Sequence, residues 1–374
     1  MSTVLELIGV DKIYNEGTAR AVHAVKHVDL SVDEGEIIAL LGSSGCGKTS
    51  TLRMIAGFEE VSHGEIRLAG RPIHQLPPAK RNVAMAFEGY SLYPPLTLQE
   101  NIAFALKAQK LDKADVDARV HEIAHILELD DILGRYPSSV SGGQQQRASL
   151  GRALVRHADL HLLDEPMGQL EPQLRALLRG RIKHFIKERG LTAILVTHDQ
   201  TEANALADRI AVMEGGVMQQ FDTPEHIRER PANLFTGTFV GEPPMNVFDA
   251  KVGAEADTLT FALGAGARLA YPAEAFQPAL RDLLSTRGDV TIGVRPHAVR
   301  IDPEGAPAEV FVNQWLGDQS HIAARFAGAT IVSVEHDRSP AKTGETIGIA
   351  IAPADLHIFD TETGEALSHG GSLA

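Results

Sequence analysis

Glu36-Ile37-Ile38-Ala39-Leu40-Leu41-Gly42-Ser43-Ser44-Gly45-Cys46-Gly47-Lys48-Thr49-Ser50-Thr51-Leu52-Arg53-Met54-Ile55-Ala56-Gly57 reads as three consecutive pieces. Residues 36–41 form a short run, apolar after Glu36, the pattern of a strand buried on both faces of a sheet. Residues 50–57 show helical spacing and close on a glycine suited to a C-cap. Between them, Gly42 to Thr49 matches the Walker A phosphate-loop pattern in full, and the strand-loop-helix context is what that motif requires. Glycines let the loop wrap closely, so that backbone N–H groups and a helix N-terminus face phosphate oxygens. The expected nucleotide contacts are Gly42, Ser43, Ser44, Gly45, Cys46, Gly47, Lys48, Thr49 and Ser50. Lys48 would neutralise β- and γ-phosphates, and the Thr49 hydroxyl would take a Mg²⁺ position.

Two further runs end in polar residues as strands of an α/β sheet do at a ligand site. Leu160-His161-Leu162-Leu163-Asp164-Glu165 has the Walker B form. Asp164 is expected to hold Mg²⁺ through water, and Glu165 to polarise the attacking water. Ala193-Ile194-Leu195-Val196-Thr197 runs into His198-Asp199, and His198 is read as the γ-phosphate sensor. The predicted catalytic set is Glu165, His198 and Lys48.

Between the two Walker elements lies Val140-Ser141-Gly142-Gly143-Gln144, a second glycine turn opening a helix. In this order the motifs resemble the ABC transporter ATPases, through most of residues 1–238. The resemblance implies an α/β P-loop NTPase with a RecA-like core, an antiparallel β-subdomain and a helical subdomain. It also implies that Ser141, Gly142, Gly143 and Gln144 contact the ATP held by a partner subunit. ATP and Mg²⁺ are then the cofactors of a nucleotide-sandwich dimer. Tyr14 sits where the family stacks an aromatic ring on adenine.

The last third narrows the resemblance. Gly241-Glu242-Pro243-Pro244-Met245-Asn246, Gly293-Val294-Arg295-Pro296, Leu316-Gly317 and Leu356-His357-Ile358-Phe359-Asp360 are similar to the C-terminal domain of carbohydrate-importer ATPases of the maltose and glycerol-phosphate type. Short β-type runs broken by Gly, Pro and Asp agree with an all-β, OB-like domain. Two domains are expected: residues 1–238, with a helical insertion at about 89–157, and residues 239–374, a TOBE-type regulatory and dimerisation domain. The resemblance implies two transmembrane permease subunits, a periplasmic or lipoprotein substrate-binding protein and a second ATPase subunit, identical or different. It further implies work at the cytoplasmic face of the inner membrane, as a peripheral protein.

Composition is consistent with this. The chain has 374 residues, 44% hydrophobic and 22% charged, enough for two packed cores. No apolar run approaches the about 18 residues that a membrane span needs, and the first residues lack the basic and apolar segments of a secretion signal. The single cysteine, Cys46, excludes an intrachain disulfide, and its place in the loop suggests that alkylation would block ATP. Net charge is −14, and residues 239–374, with 9 basic and 18 acidic side chains, carry −9 of it. That balance argues against nucleic acid as a partner.

Residues 1–40 alternate in short runs, as an antiparallel subdomain would. The insertion is expected to hold helices over Leu98–Gln109, Ala114–Leu129 and after Ser141, with Tyr90-Ser91-Leu92-Tyr93-Pro94-Pro95-Leu96 lining a permease groove. The Arg- and Lys-rich helix Pro172–Arg189 is read as a solvated face.

Two positions depart from the family. Glu88 stands where it has a glutamine near Mg²⁺ and the attacking water. A carboxylate is the better Mg²⁺ ligand, yet it adds negative charge beside Glu165. The loop after Walker B reads Gly168-Gln169-Leu170-Glu171 where Ser-Asn/Ala-Leu-Asp is usual. These departures suggest a heterodimer with a second ATPase. They also keep open an alternative: a weakly active nucleotide-binding scaffold beside an active partner. A soluble ABC protein acting on ribosomes or DNA fits less well, since such chains usually carry two ATPase halves.

Overall fold

The computed structural model describes residues 2–107, 111–255 and 257–374. They form two compact units, Met1–Pro224 and Glu225–Ala374. The sequence reading put the join at 238; the short helices after Pro224 group instead with the second unit.

In the first unit, β1 (Thr3–Tyr14) pairs antiparallel with β2 (Val22–Asp33) on one side and β4 (His63–Leu68) on the other, and β4 pairs with β5 (Arg71–Pro72). Leu5, Leu7 and Val10 of β1 are buried, which is the alternation the sequence shows. The core sheet has the order β10-β9-β3-β8-β7-β6, built from β3 (Ile37–Gly42), β6 (Val83–Ala86), β7 (Leu160–Asp164), β8 (Ala193–Thr197), β9 (Arg209–Glu214) and β10 (Val217–Asp222). Every residue of β3, β7 and β8 is buried. Strands covered on both faces have no solvent side, so their runs are mostly apolar, with His161 of β7 and the terminal Asp164 and Thr197 as buried exceptions. Because β3, β7 and β8 are parallel, Gly42, Asp164 and Thr197 finish at the same edge of the sheet.

Helix α1 (Lys48–Ala56) follows β3 directly and ends on Gly57 in the left-handed region. The insertion holds α2 (Leu98–Phe104), α3 (Lys113–Ile126) and α4 (Gly142–Leu154). The expected helix Leu98–Gln109 stops at Phe104, and its last expected positions, 108 and 109, lie outside the described residues. Thr97 and Glu100 form a capping box on α2 and Asp112 caps α3, which is why these helices start where they do. Buried Arg147 of α4 donates to the Leu127 and Glu128 carbonyls (2.7 and 2.6 Å), satisfying the end of α3. Helices α5 (Pro172–Glu188) and α6 (Gln200–Leu206) complete the core.

In the second unit, α7 (Pro224–Glu229) and α8 (Leu234–Phe239) precede an antiparallel sheet of order β13-β12-β11-β14-β19-β20-β21. Its strands are β11 (Asn246–Glu255), β12 (Thr258–Ala262), β13 (Arg268–Pro272), β14 (Asp289–Val294), β19 (Leu356–Asp360), β20 (Ala366–His369) and β21 (Ser372–Leu373). A second sheet, β17-β16-β15-β18, contains β15 (Val299–Trp315), β16 (Ser320–Phe326), β17 (Ala329–Glu335) and β18 (Thr346–Ile351). Both sheets feed one core in which Phe248, Phe261, Val290 and Ile292 meet Val310, Ile322 and Phe326. The expected β-rich domain is present, with helix α9 (Pro278–Arg287) added to it; Leu280 and Leu284 anchor that helix in the same core. Among the described residues no helix is long and apolar enough to cross a membrane.

Candidate active site

The phosphate loop is shaped by backbones from elsewhere in the first unit. Gly47, the N-cap of α1, has φ 103°, and a Cβ there would lie 2.5 Å from the Ala24 carbonyl oxygen of β2. A Cβ on Gly42 would lie 2.3 Å from the Met213 carbonyl oxygen of β9. No side chain caps α1, so its first-turn amides are presented to an anion by the same rule that places phosphates at helix starts. Lys48 is buried and donates to the Gly42 and Ser43 carbonyls at 2.6 and 2.9 Å. Its Nζ stands 3.6 Å from the Cys46 sulfur. Cys46 is itself 2% exposed, so the thiol is a small packed side chain shielded from reagents, and the expected block by alkylation loses its footing.

Tyr14 ends β1 above the start of α1. Its hydroxyl lies 3.0 Å from the Ser50 hydroxyl, and Lys12 Nζ sits 4.8 Å from its ring centre. The ring is thereby set beside the start of α1, next to the phosphate loop.

Thr49 Oγ1 and Asp164 Oδ1 are 3.5 Å apart. Burial, and then the negative charge of Glu88 and of Glu165, push the Asp164 carboxyl up to about 6, against Arg53 and the Thr49 hydrogen bond, which pull it down. A hydroxyl and clustered carboxylates are hard oxygen donors, the set that suits Mg²⁺. Among the described residues no ready-made group of three protein metal ligands occurs.

Glu165 has φ 47°, an uncommon backbone for a non-glycine residue that local structure must hold in place. Its amide donates to the Val196 carbonyl of β8 (2.9 Å), and its own carbonyl accepts from Gln146 Nε2 (2.8 Å) and Gly168 N (3.3 Å). So held, Oε1 accepts a hydrogen bond from Nδ1 of His198 at 2.9 Å. Glu165 is mostly enclosed, with 15% of its side chain exposed, whereas His198 is 68% exposed. A carboxylate enclosed beside an exposed imidazole is an arrangement able to orient a water molecule between protein and phosphate.

Ser141 and Gln144 are used as the start of α4 itself. Ser141 Oγ accepts from Gln144 N (3.3 Å), and Gln144 Oε1 accepts from Ser141 N (2.9 Å), a capping box. A Cβ on Gly142 would lie 2.9 Å from Gln169 Oε1 and 3.1 Å from the Tyr90 hydroxyl; one on Gly143 would lie 3.2 Å from the Gln169 carbonyl oxygen. The glycines thus admit two other loops of the same chain. Lys48, Thr49, Asp164, Glu165 and His198 come together, with Glu88 acting on Asp164 through its charge. Among the described residues, no hydrogen bond joins Ser141–Gln144 to Lys48 or Thr49.

The departures have local explanations. Glu88 is exposed and leads into Tyr90 and Ser91, both at positive φ, whose carbonyls accept from Arg152 of α4 at 3.2 and 2.7 Å. A Cβ on Gly168 would meet nothing closer than 3.7 Å, so space does not demand glycine there. Glu171 is the N-cap of α5 and makes no side-chain cap hydrogen bond. Its extra methylene carries the carboxylate past the amides that an Asp would accept from. Glu171→Asp is therefore expected to stabilise the first unit by about 0.5–1 kcal/mol, read as a Tm rise of about 1–4 °C; an unchanged or lower Tm would rule out this account of the cap.

Sequence reasoning missed Gln146, Arg152 and Arg175. Gln146 is 3% exposed in α4; a polar residue on the inner face of a predicted helix was the available signal. The cations of α5, read as a solvated face, are part-exposed but engaged: Arg181 pairs with Glu128 (3.2 Å), Lys183 reaches the Ala205 carbonyl (2.8 Å), Lys187 pairs with Asp208 and Arg189 with Glu122. A groove of about 1050 Å³ is lined by Phe104, Arg119, Glu122, Arg152, Arg156 and Arg189, among others. The aromatic-proline segment borders this groove rather than lining it, through Arg152 and through Phe104, whose ring lies 4.6 Å from that of Tyr93.

Comparison with known proteins agrees with these features. Residues 25–168 match the ABC transporter family, residues 241–299 the MalK OB fold domain and residues 292–359 the TOBE domain. The chain is 41% identical to the sn-glycerol-3-phosphate import ATP-binding protein UgpC of Cereibacter sphaeroides, over 92% of this chain and 96% of that one. It is 38% identical to the trehalose/maltose import ATP-binding protein MalK of Thermococcus litoralis (97% and 99%) and 37% to the xylose/arabinose import ATP-binding protein XacK of Haloferax volcanii (98% and 95%). The dimeric post-hydrolysis state of the ATP-binding cassette MJ0796 with ADP and Pi matches with a TM-score of 0.55 at 27% identity, covering 59% of this chain and 98% of that one. With its phosphate loop, its second glycine turn and the β-rich unit that follows them in sequence, this chain belongs to the ABC transporter ATP-binding subunits, the ATPases that couple hydrolysis to transport.

Proposed function

We propose that this chain is the energy-coupling ATPase of an importer for a sugar, polyol or sugar-phosphate, working as a nucleotide-sandwich dimer on the cytoplasmic face of the inner membrane. The observation that carries this reading is the 2.9 Å contact between Glu165 and His198 beside a fully formed phosphate loop. The substrate class rests on relatives named for glycerol-3-phosphate, trehalose, maltose and pentose import that match over nearly the whole chain.

Lys48 exchanges its loop carbonyls for the β- and γ-phosphates, and the α1 amides hold the remaining phosphate charge. Thr49, Asp164 and Glu88 would hold Mg²⁺, which when bound neutralises phosphate charge. Tyr14 stacks on the adenine. Glu165 accepts the proton of the attacking water, while His198 contacts the γ-phosphate and keeps the Glu165 carboxylate oriented. Ser141, Gly142, Gly143 and Gln144 present the start of α4 to the ATP bound by the second ATPase subunit, so ATP joins the two subunits and its hydrolysis releases them. The groove with Arg119, Arg152, Arg156 and Arg189 is suited to a permease loop that carries acidic side chains. A substrate-binding protein delivers the cargo to the permease pair.

Native mass spectrometry of the complex recovered on the tagged chain from its own membranes tests this reading. Two permeases with two ATPase copies are expected. Two copies of this chain assign equal sites; one copy beside a different ATPase assigns unequal sites. Recovery without any permease would overturn the importer reading.

A further inference from the structure

The most connected side chain near the hydrolytic pair is one that the sequence reading left on a solvated face. Arg175, in the first turn of α5, donates from Nη1 to Asp199 Oδ2 at 3.0 Å and from Nη2 to the Gly168 and Leu170 carbonyls, both at 3.2 Å. About a quarter of each side chain of the Arg175–Asp199 pair is exposed, so the contact is partly shielded from water and retains more of its strength than a surface pair. Asp199 directly follows His198. Its Oδ1 caps α6 by accepting from Glu202 N (3.0 Å), and its amide donates to Thr197 Oγ1 (3.0 Å). The turn that carries His198 thus has Asp199 as its fixed point, and Arg175 holds Asp199.

The loop on the other side of Arg175 is held at its far end by α4. Gln146 Nε2 donates to the Glu165 carbonyl (2.8 Å), and Gln146 Oε1 accepts from Gln169 N (3.0 Å). Residues 165–171 are therefore fastened both to the helix that begins at Ser141 and, through Arg175, to the His198 turn. His198 is two-thirds exposed and contacts Glu165, so its setting depends strongly on its backbone.

We propose that Arg175 is a positioning residue that ties the loop 165–171 to the His198 turn, so that a shift of α4 or of this loop changes how His198 faces Glu165. The inference rests on the reading of Glu165 and His198 as the hydrolytic pair. A guanidinium suits the task because its planar fork binds a carboxylate and two carbonyls at once; an ammonium on a flexible stem does not hold all three in one geometry.

The test is ATP hydrolysis by the full-length chain in wild-type, Arg175→Ala, Arg175→Lys, His198→Ala and double-variant forms, with Tm and nucleotide binding measured alongside. Arg175→Ala is expected to lower kcat by about 10–100-fold with KM for ATP within about twofold, and Arg175→Lys to fall between it and wild type. In the His198→Ala background, Arg175→Ala is expected to change the residual single-turnover rate by less than about twofold, because the two residues act through one element. If Arg175→Ala unfolds, Arg175→Lys and Asp199→Asn carry the same comparison. A kcat for Arg175→Ala within twofold of wild type overturns the proposal. So does an equal rate loss in the presence and absence of His198, which would mean a general structural role. A wild-type chain that fails to hydrolyse ATP overturns the hydrolytic reading itself, a result distinct from either.

Discussion

Glu165→Gln is expected to lower kcat for ATP by about 10²–10³-fold while leaving ATP affinity within about threefold of wild type. The amide has the shape of the carboxylate and still accepts the 2.9 Å hydrogen bond from His198, so the site keeps its form. What it loses is the capacity to take a proton from water. The groups expected to bind ATP, Lys48 on its loop and the amides of α1, lie on a different element. Binding and chemistry should therefore separate, and the variant should accumulate as an ATP-joined dimer. Single-turnover hydrolysis together with equilibrium nucleotide binding checks both halves. A wild-type chain no faster than the variant would return the alternative of a weakly active scaffold beside an active partner, which the match to import ATPases does not favour.

The second large effect is expected at a residue with no chemistry of its own. Gly47→Ala places a Cβ 2.5 Å from the Ala24 carbonyl oxygen, at a backbone φ of 103°. Both the strain of the dihedral and the clash oppose it, and neither can relax alone, because the obstacle is backbone of β2 rather than a flexible side chain. Together they are expected to cost the first unit about 2–5 kcal/mol and to shift the start of α1 away from the phosphate position. Denaturant unfolding would show the stability loss, and a fluorescent ATP analogue the loss of binding. Gly45→Ala serves as the comparison: its φ is 80°, but nothing lies within 4 Å of the added carbon, so it should incur the dihedral strain alone. Equal losses at the two positions would remove the clash from the explanation.

Much of the site was legible in order of sequence. The phosphate loop, the carboxylates closing β7, the histidine after β8 and the glycine turn at Ser141–Gln144 each depend on residues within a few positions of one another. The structure finds them at the ends of the expected strands and helices. The expected antiparallel sheet carrying Tyr14 is present, because period-two burial is written into β1. Reading was weaker where local pattern is ambiguous. The β-rich second unit contains helix α9, whose ten residues hold only two fully buried anchors. The basic helix α5 was taken for a solvated face because charge alone does not show what lies opposite it.

The sequence by itself determined which chemistry is present and in what order: a phosphate loop, two acidic residues at one strand end, a histidine at another, and a second glycine turn at a helix start. Backbone propensity and short-range hydrogen bonding set each of those, and neither needs a distant partner. Only the tertiary structure decided how they are joined. A parallel crossover brings Gly42 against Met213, the antiparallel sheet lays Ala24 of β2 against Gly47, and packing buries Asp164 among carboxylates, both of which raise its proton affinity. The same packing lays Gln146 on the Glu165 carbonyl and Arg175 between Gly168 and Asp199. Most of these contacts span many residues of chain, and their energy depends on burial and approach distance, which exist only once the sheet and its helices have assembled.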